Sequence, residues 1–344
     1  MASNSSSRLH DDIVYPDAIP FVLLHLACFA AVWTGVTKTA VAMGVLLYIV
    51  RMFAVTAGYH RYFSHSSFKT SRWFQFVLAW FAQSSAQKSV LWWAVIHRRH
   101  HRHSDTEEDV HSPRHRGFLY AHLGWIFDRR YDSFDLDSIR DFAKYPELRF
   151  LVRFERLPAI VLALVTLLIG GAPGVVVGFF WSTVLLYHCS FFINSLAHAY
   201  GKQRYVTGDD SRNSWWLAAI TMGEGWHNNH HACQRSARQG FRWYEIDATF
   251  YLLRALSWVG VVWELRTPPI DLVRNERPLG RGMVERAARK LAASLVEDPL
   301  DARYMATMGA LRERARGMIP HTPSMDDICL RAYELIALPP ARSR

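Results

Sequence analysis

Residues 21–65 read FVLLHLACFAAVWTGVTKTAVAMGVLLYIVRMFAVTAGYHRYFSH. Two apolar runs, 21–36 and 39–58, flank a short polar break at Thr37–Thr39, and two histidines, His60 and His65, follow the second run. A helix that crosses the hydrocarbon layer needs about 20 predominantly apolar residues. Each run approaches that length, and neither contains Asp or Glu, which argues against buried helices of a soluble core. The pattern recurs downstream. LPAIVLALVTLLI (157–169) is followed by GGAPG (170–174) and then by VVVGFFWSTVLLYHCSFFINSLAH (175–198), which again ends on a histidine. The predicted fold is therefore an all-α integral membrane protein with four transmembrane helices in two hairpins.

The two tight turns hold one basic residue between them, Lys38, whereas 59–156 and 199–344 carry most of the Lys and Arg. The positive-inside rule then places both termini and the long middle segment in the cytosol. Residues 73–96, apolar but interrupted by Gln75, Gln83, Gln87 and Lys88, read as interfacial, with tryptophans at headgroup depth; 247–265 is a second interfacial candidate. Three regions follow: a cytosolic N-terminal segment 1–20, which does not read as a cleavable signal peptide, a membrane domain 21–268, and a C-terminal helical appendage 269–344 with Arg-rich polar faces.

The chain has 344 residues, half of them apolar, and a formal charge of +10, which suits an anionic partner or lipid surface. Its four cysteines, Cys28, Cys189, Cys233 and Cys329, form no Cys-x-x-Cys pair, which argues against a disulfide framework, a cysteine zinc site or a built-in iron–sulfur cluster. No nucleic-acid-binding module is recognisable, so the basic charge does not point to nucleic acid.

Nine of the 17 histidines form four groups: His60 and His65; His97, His100 and His101; His198; and His227, His230 and His231. Most of these groups end or follow an apolar segment expected to meet one membrane face. On a helix, residues i and i+4 share a side. In HRRHH, His97 and His101 can grip one metal while His100 turns toward another; in HNNHH, His227 and His231 can do the same with His230 crossing over. One mononuclear site rarely uses more than three or four protein ligands, so nine histidines point to two ions. Imidazole suits iron, zinc, copper and nickel, and the spacing does not choose among them.

H-x-x-x-x-H, H-x-x-H-H, N-x-x-x-H and H-x-x-H-H, in this order between two membrane hairpins, resemble the membrane acyl-CoA desaturases of the stearoyl-CoA Δ9 type. So do the words TAGYHRYFSH, SDTEEDVHSPRHRGF, AHLGW, NSLAHAYG and GEGWHNNHH. The resemblance covers about residues 20–265. It implies a cytosolic helical cap over the four spanning helices, holding a histidine-rich di-iron site. By matching motif, one iron takes His60, His65, His97, His101 and His230. The other takes His100, His198, His227 and His231, with a water on Asn194. His103, His111, His115 and His122 fall outside the ligand set, and His25 and His188 read as packed neutral residues within the spans. The implied reaction is O2-dependent desaturation of a long-chain saturated fatty acyl chain, Δ9-type and carried as acyl-CoA, in a bent apolar tunnel. The positions that close the tunnel in the family match Tyr48 and Met52. The bulkier Met52 implies a preference for C16 over C18.

The resemblance also implies partners: the lipid bilayer and a separate electron donor (a ferredoxin, a cytochrome b5-like protein or a flavoprotein reductase), since no His-Pro-Gly-Gly motif marks a fused cytochrome b5 domain. The expected setting is multi-pass in a bacterial cytoplasmic membrane. One departure stands out. The Arg-Asp pair that contacts the CoA headgroup in animal members is Val95-Ile96 here, which leaves CoA, phospholipid and acyl-carrier protein open as carriers, with arginines 98, 99, 114, 116, 129 and 130 as alternative headgroup contacts. Two rivals remain. A histidine-box fatty acid or alkane hydroxylase shares the ligands. A metal transporter would place ligands at mid-span, whereas these lie past the span ends.

Overall fold

The structure, a computed structural model, describes residues 18–296 and 307–337. It is almost wholly helical; its two short strands, Lys69–Thr70 and Val262–Trp263, pair antiparallel and tie the chain after the second apolar helix to the end of the membrane domain. Two helices are long and apolar enough to cross a membrane, α2 (Lys38–Ser64, 27 residues) and α6 (Leu157–His198, 42 residues). A shorter apolar helix, α1 (Ile19–Thr34), precedes them. Thr37 starts α2 by accepting the Ala40 N–H at 3.1 Å, one of the orphan donors of a helix N-terminus. Gly171 breaks α6 with φ 59° and ψ −154°, so its two arms turn at GGAPG.

The second arm of α6 lies against α2 where both are small. A methyl group on Gly44 would stand 2.9 Å from the Val177 carbonyl, so this contact requires glycine. Arg51 bridges the same pair of helices from within, donating to Ser182 Oγ at 2.5 Å and Thr183 Oγ1 at 2.7 Å. The outer faces of α1, α2 and α6 are apolar and bare. Trp33 is 83% and Leu168 84% exposed, together with Leu23, Phe29, Leu46, Ile49 and Leu164. An apolar surface of that extent belongs against lipid.

Packed around the last turns of α2 and the second arm of α6 are α3 (Arg72–Gln83), α4 (Val90–His103), α5 (Phe118–His122), α7 (His227–Ala232) and α8 (Ala248–Trp258). Ser71, Ser89 and Asp247 cap α3, α4 and α8 by accepting the N–H three residues on. The main core is built here from Met52, Tyr59, Phe63, Leu78, Leu91, Leu148, Leu151 and Leu253. Segment 73–96 differs from the single interfacial stretch expected: it is broken at 84–89, and Trp92 is buried rather than at headgroup depth. Trp73, by contrast, is 72% exposed.

The C-terminal helices α9 (Arg281–Val296), α10 (Met308–Met318) and α11 (Met325–Ala337) have a core of their own around Leu291, Leu311, Ile328 and Cys329, onto which Val206 packs.

Candidate metal centre

The first histidine pair depends on an irregular helix. The last turns of α2, Ala54–Ser64, widen to π geometry. In an α-helix, residues five apart would point about 140° from each other. The wider turn brings His60 and His65 to the same side, with ring centroids 5.0 Å apart. Arg61 anchors this segment through buried bonds to Asp247 (3.0 and 3.1 Å), Glu224 (3.1 and 3.3 Å) and the Ala237 carbonyl (2.6 Å). On α4, His97 and His101 share one side while His100 turns away. On α7, His227 and His231 share one side and His230 faces the other group.

The nine rings fall into two clusters, and within each the ligand atoms all lie within 4.8 Å of one another: His60, His65, His97, His101 and His230; and His100, His198, His227 and His231. In the first, Nε2 meets Nε2 from His65 to His97 (3.0 Å), His97 to His101 (2.9 Å), His101 to His230 (2.8 Å) and His230 to His60 (2.9 Å). In the second, His227 Nε2 lies 3.0 Å from His198 Nε2 and 3.1 Å from His231 Nε2.

Carboxylates behind the rings decide what those contacts are. His100 Nδ1 meets Asp109 at 2.9 Å, His198 Nδ1 meets Asp105 at 2.8 Å and His231 Nδ1 meets Asp209 at 2.8 Å. His60 Nδ1 pairs with Glu224, beside Gln239. Burial alone would raise the pKa of Asp105, Asp109 and Asp209, but the facing histidines and the hydrogen bonds they accept override it and hold all three below the usual carboxylate range. Glu224 is lowered in the same way, by His60 and Arg61. Burial, reinforced by neighbouring imidazoles, pushes His65, His97, His101, His227 and His230 well below the ordinary histidine value, so these rings are neutral.

A neutral imidazole has one N–H. Where that proton faces a carboxylate, the Nε2 lone pair points inward at other lone pairs. His100 Nε2 is buried without a hydrogen-bond partner for this reason. Converging lone pairs on carboxylate-oriented rings are what a cation site requires, and carboxylate–histidine–metal relays orient ligands in this way. The donor set fits two divalent ions and, by itself, fits iron, zinc, copper or nickel.

These carboxylates were not singled out in the sequence, although the words SDTEEDVHS and GEGWHNNHH contain three of them. A repeated Asp within ten residues of a histidine box is the signal that would have found Asp105 and Asp109.

The remaining candidates are spread out. His103 lies half-open beside Glu108. His111 is buried and stacked 4.3 Å from His100; burial and His100 push it down to about 3. His25, His188 and His122 form a chain, with His25 Nε2 3.1 Å from His188 Nε2 and His188 Nδ1 3.0 Å from His122 Nε2. The arginines offered as headgroup contacts are mostly engaged elsewhere: Arg98 with Asp141, Arg114 with Asp210, Arg116 and Arg130 with Asp128, and Arg99 over the Tyr131 ring.

A cavity of about 720 Å³ opens beside the first cluster. His97, His111 and Asn194 are among its polar lining residues; Trp92, Trp93, Ile96, Phe179, Tyr187 and Phe191 form apolar walls, Lys88 and Arg156 supply cations, and Asp132 and Glu155 supply carboxylates, with Lys88 3.4 Å from Asp132. Trp93 stacks on His97 at 4.9 Å. Its walls come from α1, α4 and α6 and from the segments 86–88, 111–132 and 155–156, and α2 contributes none. Tyr48 and Met52 are not among the lining residues: Tyr48 donates to the Ile220 carbonyl at 2.5 Å, and Met52 is 1% exposed in the core. The loop carrying Lys88 is held by two tyrosines, Tyr59 on the Lys88 carbonyl (2.8 Å) and Tyr187 on the Ala86 carbonyl (2.9 Å), and both gripped residues adopt positive φ. Strained backbone at a cavity wall is a common mark of a functional site.

The fatty acid desaturase family model matches residues 37–262, which include every histidine of both clusters. The chain belongs to the fatty acid desaturase family. It is an oxidoreductase of lipid metabolism. The sn-1 stearoyl-lipid 9-desaturase of Anabaena variabilis is 37% identical over 249 residues, which is 72% of this chain and 91% of that one. An acyl-CoA 5-desaturase of Anemone leveillei is 36% identical, covering 71% of this desaturase and 77% of the relative. The chloroplastic palmitoyl-monogalactosyldiacylglycerol delta-7 desaturase of Arabidopsis thaliana is 37% identical over 71% of this chain and 65% of its own length.

Proposed function

We propose that this desaturase inserts a double bond, Δ9-type, into a long-chain saturated acyl chain, using O2 and two iron ions held by the nine histidines. The observation that carries this reading is an imidazole cluster that reaches a largely apolar cavity through His97, with a second cluster directly beside it. Two bound iron ions would supply the activation of O2 that hydrogen removal from an unactivated methylene pair requires. His60, His65, His97, His101 and His230 would hold one ion. His100, His198, His227 and His231 would hold the other, with Asn194 placing a water. The carboxylates fix the inward tautomers, and Trp92, Trp93 and Ile96 keep bulk water from the reacting methylenes and set the chain's path.

The same reading makes α1, α2 and the two arms of α6 the four spanning segments, with the helices bearing histidines as a cap on the cytosolic face. Electrons come from a separate protein donor. The carrier is acyl-CoA, its anionic head met by Lys88 and Arg156 rather than by an Arg-Asp pair. A glycerolipid carrier is the second reading, favoured by the stearoyl-lipid relative and by the buried, apolar Ile96 at the cavity wall. Tyr48 and Met52 are proposed to end the tunnel beyond the cavity, so Met52→Ala should lengthen the preferred chain; an unchanged chain-length profile would place the stop at Phe179 and Phe180 instead.

Expression in a desaturase-deficient host, followed by gas chromatography–mass spectrometry of acyl-CoA and glycerolipid pools, tests the reading. New monounsaturated chains support it, and the pool in which they first appear separates the carriers. Hydroxylated chains in their place would assign the protein to the hydroxylases.

A further inference from the structure

We propose that the C-terminal helices α9–α11 clamp the second histidine cluster in place, with Lys290 and Asp210 as positioning residues. This rests on reading that cluster as a metal site.

The link is the irregular segment 205–211. Its Asp209 holds His231 Nδ1 at 2.8 Å. Its Asp210 N–H donates at 2.7 Å to Asp105 Oδ2, the same oxygen that accepts from His198 Nδ1 at 2.8 Å. Two of the four ligands of that cluster are therefore braced by adjacent residues of one loop. Within the loop, Thr207 and Ser211 hydroxyls fix Asp209 Oδ1, each at 2.6 Å.

What fixes the loop as a whole comes from beyond residue 280. Val206 packs on the apolar core of α9–α11. Gly208 has φ +80°, and a methyl group there would lie 2.6 Å from Arg286 Nε and 3.0 Å from Met283 Sδ, so α9 closes directly over the loop backbone. Lys290 Nζ meets Asp210 Oδ1 at 2.7 Å, and Arg114 takes the other carboxylate oxygen. The first cluster is braced differently: among the described residues, no hydrogen bond joins Glu224, Gln239 or Arg61 to these helices. An ion pair as open as Lys290–Asp210 adds little stability on its own. Its effect is on where the loop sits.

The test uses full-length protein in detergent, loaded with iron(II) and challenged with a chelator, comparing Asp210→Asn, Lys290→Met and Lys290→Arg. Asp210→Asn keeps the backbone N–H to Asp105 and loses both cations. Removing an outer partner of a ligand typically weakens metal binding 10- to 100-fold, so a residue one step further out should act at about the lower end. One of the two bound ions should leave about 10-fold faster in Asp210→Asn, and the other at the wild-type rate. Lys290→Met should shift in the same direction and Lys290→Arg should restore retention. Unchanged rates for both ions, or equal acceleration of both, would overturn the clamp. Amide hydrogen exchange of 205–212 in the metal-free protein reads the clamp without iron. Faster exchange in Asp210→Asn and Lys290→Met supports it, and unchanged exchange overturns it. Should wild-type protein fail to hold two iron ions, the iron reading falls and this exchange measurement still decides the clamp.

Discussion

The two histidine clusters differ more in what stands behind them than in their ligands. The first has five imidazoles and one direct carboxylate partner, Glu224, whose charge is shared with buried Arg61. The second has four imidazoles, three of which give their Nδ1 proton to an aspartate. A carboxylate behind an imidazole fixes its tautomer and raises its basicity. The first cluster therefore relies on ligand number and on the π turn of α2, and the second on charge. The second should hold positive charge more firmly, and its geometry should be the more sensitive to loss of an acid.

Charge-removing substitutions give the largest effects. Asp209→Asn should weaken one metal ion about 10- to 100-fold and leave the other in place. Glu224→Gln should do less at the metal, because Gln239 also contacts His60, and more to stability, because it leaves Arg61 with one acid fewer. Metal content and thermal midpoints of the two variants, measured side by side, would break the comparison if the effects were the same.

A pH series on metal-free protein comes next. His65, His97, His101, His227 and His230 are held neutral in the fold, whereas unfolded chains protonate theirs near pH 6.5. Below that value the unfolded state binds more protons, so stability falls with falling pH, by at most ~1.4 kcal/mol per ring for each pH unit. The depressed aspartates act in the same direction at lower pH, losing their contribution as unfolded carboxylates protonate near pH 4. The midpoint should drop between about pH 7.5 and about pH 5.5 in metal-free protein, and bound metal should reduce the drop. A midpoint independent of pH would show that these rings take up protons as readily in the fold as in the unfolded chain, and would overturn their neutrality.

Smaller effects probe the surroundings. Lys88→Ala should raise the KM for a CoA-linked substrate by ~2–5-fold with little change in kcat, as expected for a partly exposed cation. His103→Ala should stay within about twofold of wild-type activity, since this ring faces solvent and Glu108 rather than either cluster.

The sequence made the apolar runs and the nine histidines legible because both are local patterns: hydropathy over twenty residues, and spacings of three to five along a helix. It did not show why His60 and His65, five apart, can cooperate, since that depends on the π turn of α2. The aspartates stayed hidden because their partners are distant in the chain, as with Asp105 and His198, 93 residues apart. The position of two tryptophans differs from the linear reading for a related reason. Trp92 and Trp93 look like interfacial anchors in a linear reading, and only the break at 84–89 turns them inward.

The most direct test is the metal stoichiometry of wild-type protein purified from iron-replete cells, by elemental analysis with Mössbauer spectroscopy. Two iron ions per chain in two distinguishable, nitrogen-rich environments are expected. A single ion per chain, or zinc in place of iron at both positions, would contradict the paired, unequal iron sites.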